Sequence, residues 1–135
     1  METQDLKLSI NNNIATLIFD MKDSSANTLS QSVLEQLETV LESIKNQREI
    51  KLLLIKSAKE NVFIAGADIK EILPMQNQES IYEYLLKVDS IFTTLEHLPY
   101  PSVALINGAC MGGGLELALC CTYRLATSNK KTKLS

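Results

Sequence analysis

The 135-residue sequence has few of the features that mark a specialised protein, and each absence removes a class of function. It has no excess of positive charge. A net charge of -3 gives no general attraction to nucleic acid or to an anionic membrane, so polyanion binding is excluded except at a local basic pocket. It also has no long apolar run of membrane-spanning length, and METQDLKLSI shows neither a secretory pattern nor an Arg-rich amphipathic stretch. A cytoplasmic protein with no membrane span is expected. Cysteine is scarce: Cys110, Cys120 and Cys121 are odd in number, close together and without metal-ligand spacing, and the one histidine is distant in sequence. They read as buried thiols of a reducing compartment, with no metal site. Also missing are a G-x-G-x-x-G, the Gly-Lys-Ser/Thr of a P-loop, a sequence repeat and a linker.

What is present is enough for one domain with a real core, since 45% of the residues are hydrophobic. LKLSI and IATLIF alternate on either side of Asn11-Asn12-Asn13, which predicts a β-hairpin. SQSVLEQLETVLESIKNQ puts Val33, Leu34, Leu37, Val40, Leu41 and Ile44 on one helical face, with Ser32 and Glu35 spaced as a capping box. KLLLIKS and SVALI read as strands buried on both faces. Between them, Ile81, Leu85, Val88, Phe92 and Leu95 recur at helical spacing until Pro99 and Pro101. Alternating strands and helices imply an α/β architecture.

Two loops could carry chemistry. In GACMGGGLELALCC, Glu116 is the only polar residue between Leu115 and Cys121, so a helix starting near Gly112 is expected to be buried all round with Glu116 inside it. Two roles fit Glu116. It is either a structural charge, paired with Arg or Lys or stabilised by the helix N-terminus, or a functional carboxylate, because buried ionisable groups concentrate at functional sites. Three consecutive glycines favour function: they leave backbone N–H groups unblocked at the positive end of a helix, facing an anion or a developing oxyanion. In NVFIAGADIKEI, Asp68 and Glu71 are spaced as a capping box, and capping is favoured over catalysis. Ala65-Gly66-Ala67 lets a ligand approach the backbone, so the Ala67 N–H is a candidate second donor.

FIAGADIKEI together with INGACMGGGLELAL resembles the enoyl-CoA hydratase, or crotonase, superfamily. SSANTLS, GGGLELALCCTYRLAT and KKTKLS are similar to the N-terminal hydratase/isomerase region of multifunctional fatty acid oxidation α-subunits, and the resemblance covers essentially the whole chain. It implies a ClpP/crotonase-like fold of repeated ββα units, of which these residues form the N-terminal part. It further implies an enzyme of β-oxidation that adds water to a trans-2-enoyl-CoA. Ala67 and Gly113 correspond to the two amide donors that polarise the thioester carbonyl, and Glu116 to the first of two glutamates that hold and activate water. CoA-binding backbone groups carry over to Ala65, Ala67 and Ile69 within the stretch Ala65, Gly66, Ala67, Asp68, Ile69 and Lys70. Lys70 lies where the family is often basic near the CoA phosphates, and equally suits a solvated lysine.

CoA would enter as part of the substrate, with no separate cofactor. The implied partners are an acyl-CoA thioester and, for a full-length protein, an oligomer or a complex with a thiolase subunit. The family's second glutamate follows TKLS in a Pro-Glu pair and has no counterpart here, so a domain truncated before that residue and inactive alone is expected. Such truncation would expose the apolar faces of the Val33–Ile44 and Ile81–Leu95 helices. A Δ3-Δ2-enoyl-CoA isomerase, which can use a single carboxylate, and a non-catalytic CoA-thioester binder or assembly piece are the alternatives. His97, beside Pro99 and without triad spacing, is read as stabilising a helix C-terminus, and SNKKTK as a solvated turn.

Overall fold

The computed structural model describes residues 1–75 and 77–135, and the side chain of residue 69 lies outside the described set. The chain opens with the expected hairpin, β1 (Leu6–Asn11) and β2 (Ile14–Phe19), paired antiparallel. Asn12 and Asn13 make the turn with φ of 53° and 67°, the left-handed region that asparagine tolerates better than most residues. Next come α1 (Gln31–Ile44), β3 (Leu52–Ser57), β4 (Val62–Ile64), α2 (Ile69–Ile72) and α3 (Gln78–Glu96). The chain continues through β5 (Ser102–Ile106), β6 (Ala109–Cys110), α4 (Gly113–Cys120), β7 (Tyr123–Ala126) and β8 (Lys133–Leu134).

After the hairpin, successive strand pairs divide between two sheets. β3, β5 and β7 extend a five-stranded sheet ordered β1-β2-β3-β5-β7, while β4, β6 and β8 form a three-stranded parallel sheet. The ββα rhythm is therefore structural, although the sequence shows no repeat. Its consequence for function is positional. β4 pairs in parallel with β6, Ile64 opposite Cys110, so the loops leaving the two strand ends emerge side by side.

Hydrophobic patterning explains most of the core. Val33, Leu34, Leu37, Val40, Leu41 and Ile44 are all buried on α1, which packs on β1 and α3. This corrects the expectation that the α1 face would be bare. The helix also starts earlier than its supposed capping box: Ser30, not Ser32, is the N-cap and accepts from the Val33 N–H, while Ser32 accepts from the Gln36 side chain. β3 and β5 bury one face completely and the other only in part, so they are less enclosed than their continuous apolar runs suggested. On α3, Ile91, Phe92 and Leu95 are buried, whereas Ile81 and Leu85 are exposed. His97 caps α3, with its Nδ1 2.9 Å from the Thr93 carbonyl, as a helix-terminal role requires.

Candidate active site at the β4 and β6 loops

Two close approaches bring the loops together. Gly114 packs so tightly that a Cβ there would lie 2.2 Å from the Ile64 carbonyl oxygen, so only glycine lets α4 rest on the end of β4. Gly66, at φ +103°, is in a region that L side chains rarely adopt, and its Cβ would lie 2.9 Å from the Met111 oxygen and 3.5 Å from the Gly113 nitrogen. Met111 N–H donates to the Ile64 carbonyl and Gly114 N–H to the Met111 carbonyl, at 3.1 and 2.8 Å. The loops are thus bound to each other through backbone.

This geometry puts the two expected donors next to each other: a Cβ built on Gly113 would be 4.0 Å from the Ala67 nitrogen. Gly113 is the first residue of α4, where an N–H has no intrahelical acceptor. Among the described residues neither the Gly113 nor the Ala67 N–H has a hydrogen-bond partner. Two spare backbone donors, one at the positive end of a helix, can hold an oxygen that gains negative charge.

Glu116 stands one turn further along α4, its own N–H bonded to the Gly112 carbonyl at 3.0 Å. It is exposed, which corrects the expectation of a buried carboxylate. The cause lies in α4 itself, which buries only Gly114, Leu117 and Ala118 and leaves Leu119 60% exposed. An all-apolar sequence indicated burial on every side, but the elements described here cover one side only.

The remaining expected residues divide. Ala65 donates its N–H to the Asn27 carbonyl at 2.8 Å, which leaves its carbonyl as the group available to a ligand. Asp68 is half-buried, and its carboxylate accepts from the Lys70 N–H at 3.0 Å at the start of α2. The Asp68–Glu71 capping box is only half formed, because Glu71 turns away to accept the Gln31 N–H at the start of α1. Lys70 is exposed, in keeping with either of its readings. The expectation for Ile69 rests on its backbone, which opens α2; its side chain is outside the described residues.

The thiols are poor nucleophile candidates. Burial pushes Cys110 and Cys121 up to about 11, and burial followed by the nearby Glu96, Glu116 and Asp89 carboxylates raises Cys120, which is only half-buried.

Sequence reasoning noted SSANTLS only as part of the resemblance and missed that this segment braces the loops. Asn27 is 1% exposed and its side chain bonds to four groups: it accepts from the Met21 N–H and donates to the Phe19 and Phe63 carbonyls and the Ser57 hydroxyl. An asparagine followed by Thr-Leu-Ser at a helix start was the available signal, but without knowing which strands end nearby it reads as an ordinary turn.

Comparison with known proteins places this arrangement. Residues 9–135 match the enoyl-CoA hydratase/isomerase family. The fatty acid oxidation complex subunit alpha of Aliivibrio fischeri is 44% identical over 122 residues, 90% of this chain and 18% of that protein. The corresponding subunit of Acinetobacter baylyi is 37% identical over 127 residues, 93% of this chain and again 18% of the relative. Among solved structures, an enoyl-CoA hydratase from Bacillus anthracis superposes with a TM-score of 0.83 at 31% identity, covering 91% of this chain and 47% of its own. An enoyl-CoA hydratase/carnithine racemase from Magnetospirillum magneticum gives 0.86 at 32% identity, covering 93% and 47%. The chain therefore spans less than a fifth of these curated relatives and about half of these solved structures, and it has the crotonase fold of the latter. With the match running from the opening hairpin to the last residue, the chain belongs to the enoyl-CoA hydratase/isomerase family.

Proposed function

We propose that this chain supplies the thioester-polarising half of an enoyl-CoA hydratase site. The observation that carries the reading is the pair of spare N–H groups at Ala67 and Gly113, side by side on two loops that bind each other. Hydration forms a bond from water oxygen to the β-carbon, while the double-bond electrons move onto the thioester oxygen. Fixed donors aimed at that oxygen stabilise the enolate without reorganising. Glu116, one turn from Gly113, takes the proton that water gives up. A second proton must reach the α-carbon from a second acid, the role that the family resemblance gives to another glutamate. The CoA moiety arrives with the substrate and contacts the Ala65–Lys70 stretch, so no separate cofactor takes part. The isomerase alternative shares the amide pair and needs one carboxylate. Membership of a complex is a property named for the curated relatives and is proposed here only by that kinship.

The direct test is infrared difference spectroscopy of bound crotonyl-CoA carrying a 13C-labelled thioester carbonyl. The chain should lower the carbonyl stretch, and Gly113→Pro should return it toward the free value, because proline removes one N–H at a first-turn position; its Cβ, 3.0 Å from Leu29 Cδ1, also requires that side chain to yield by a few tenths of an ångström. An unchanged band in Gly113→Pro, at equal occupancy, rejects the amide pair. Loss of enoyl absorbance should be negligible with the 135 residues alone. Turnover by a monodisperse monomer would overturn the division of roles between Glu116 and the second acid.

A further inference from the structure

Neither amide donor positions itself, and one residue touches both loops. Leu29 is 2% exposed and lies outside the loops, on the segment between β2 and α1. Through its backbone it holds the first loop: its N–H donates to the Gly66 carbonyl at 2.7 Å, and it bridges Ala67 in parallel register. Through its side chain it meets the second, because its Cδ1 lies 3.0 Å from the point where a Cβ on Gly113 would sit. The segment is itself fixed. Asn27 ties it to the ends of β2, β3 and β4 and holds the Ala65 N–H with its carbonyl, while the Tyr84 hydroxyl donates to the Leu29 carbonyl at 3.4 Å.

We infer that Leu29 is a positioning residue for the amide pair, a spacer whose backbone orients the Ala67 peptide and whose side chain sets its separation from Gly113. The inference rests on the reading of Ala67 and Gly113 as oxyanion donors and adds to it a residue that touches no substrate. Misplacement of a reacting group by about 1 Å costs on the order of 10²-fold, so two donors on separate loops need a common gauge. Hydrogen bonds fix the first loop against the segment, and the second loop, bonded to the end of β4 through the Met111 N–H, meets the segment by van der Waals contact. Shortening Leu29 removes the contact and leaves the bonds, so α4 can settle toward the vacated space and the donors lose their common target.

The experiment compares binding of crotonyl-CoA with binding of its thioether analogue, in which the carbonyl is replaced by methylene, together with the infrared carbonyl band. Wild type should prefer the thioester. Leu29→Ala should reduce that preference by about tenfold, part of the roughly 10²- to 10³-fold that loss of a whole donor costs, and should shift the band toward its free position. Leu29→Met, which keeps the volume, should restore both. Leu29→Val, a milder truncation, should give an intermediate shift and covers the case in which Leu29→Ala does not fold. A purely structural leucine would lower stability and weaken both ligands equally, leaving preference and band unchanged, and that result in Leu29→Val or Leu29→Ala overturns the inference. Gly113→Pro separates the two levels. If it abolishes the preference while the Leu29 variants keep it, Leu29 alone is rejected. If Gly113→Pro keeps it too, or wild type has none, the amide reading fails and takes this inference with it.

Discussion

The hairpin, α1 and β3 form one region of the molecule, and α4, β7 and the first half of α3 another; the two use similar apolar residues to opposite effect. In the first, Leu17, Leu34, Leu37, Ile44, Leu53 and Ile55 are all below 2% exposed. In the second, Leu85, Leu119, Tyr123 and Leu125 are 56%, 60%, 62% and 63% exposed, and every residue of β7 faces solvent. The whole chain exposes 7838 Å², above the roughly 7,000 Å² expected of a monomer of this mass. The exposed apolar side chains of the second region contribute to this surface, and Glu116 stands on the same helix as one of them, Leu119. The closed region thus sets the frame, and the open one carries the carboxylate on a helix covered on one side only.

The strongest way to sharpen this contrast is a pair of matched truncations. Leu37→Ala should cost about 2–5 kcal/mol, since the site is fully enclosed and cannot collapse around the lost atoms. Leu125→Ala should change stability by no more than about 0.5 kcal/mol. Urea unfolding of both variants reads the difference directly. Equal losses would mean that β7 is covered in solution and the two regions do not differ.

That contrast also explains what the sequence could reveal. The α1 face was legible residue by residue because an amphipathic period reports burial against a partner that is present, and all six expected positions are inside. The exposure of Glu116 was not legible, because an all-apolar helix looks the same in sequence whether its second side is covered or bare. The two glycine-bearing loops were legible as a pair through local chemistry and resemblance. The placement of Leu29 was not: its parallel bridge to Ala67 and its contact with Gly113 are both set by the docking of distant strands. The Asp68–Glu71 spacing misled in a similar way, since the glutamate found a better acceptor role at the start of α1.

A smaller effect tests the polar anchor of the closed region. The Tyr100 hydroxyl donates to the Ile44 carbonyl at 2.8 Å at the end of α1, and burial, followed by the charge of Glu49, pushes its pKa up to about 12. The folded state therefore keeps this proton above pH 10, where the unfolded chain gives it up. The corresponding stability is fully present below pH 10 and is lost as pH rises toward 12. Tyr100→Phe should cost about 0.5–1.5 kcal/mol at neutral pH through the one hydrogen bond lost, since the Ile44 carbonyl keeps the Gln47 N–H at 3.1 Å, and should flatten the stability profile between pH 10 and 12. A variant whose alkaline profile matches wild type would show that this hydroxyl does not link folding to pH.

The smallest effect on stability should come with a large effect on association. Leu119 and Leu125 are both more than half exposed, with Tyr123 beside them in sequence on β7, the edge strand of the five-stranded sheet. An edge strand with unpaired backbone groups and apolar side chains is a template for pairing with another chain, and contiguous apolar surface of this kind drives self-association. Paired replacement, Leu119→Lys with Leu125→Lys, removes two apolar side chains that contribute little to the core and places charge where an edge is normally protected. The unfolding midpoint should move by no more than about 0.5 kcal/mol in stability, because neither side chain loses buried contacts. Sedimentation should show the opposite scale of change: concentration-dependent association of wild type, and a monomer for the double variant over the same range. If wild type is already monomeric at high concentration, the open face is not sticky enough to matter. If the double variant unfolds, Leu119 and Leu125 belong to the core after all, and the distinction between the two regions falls with them.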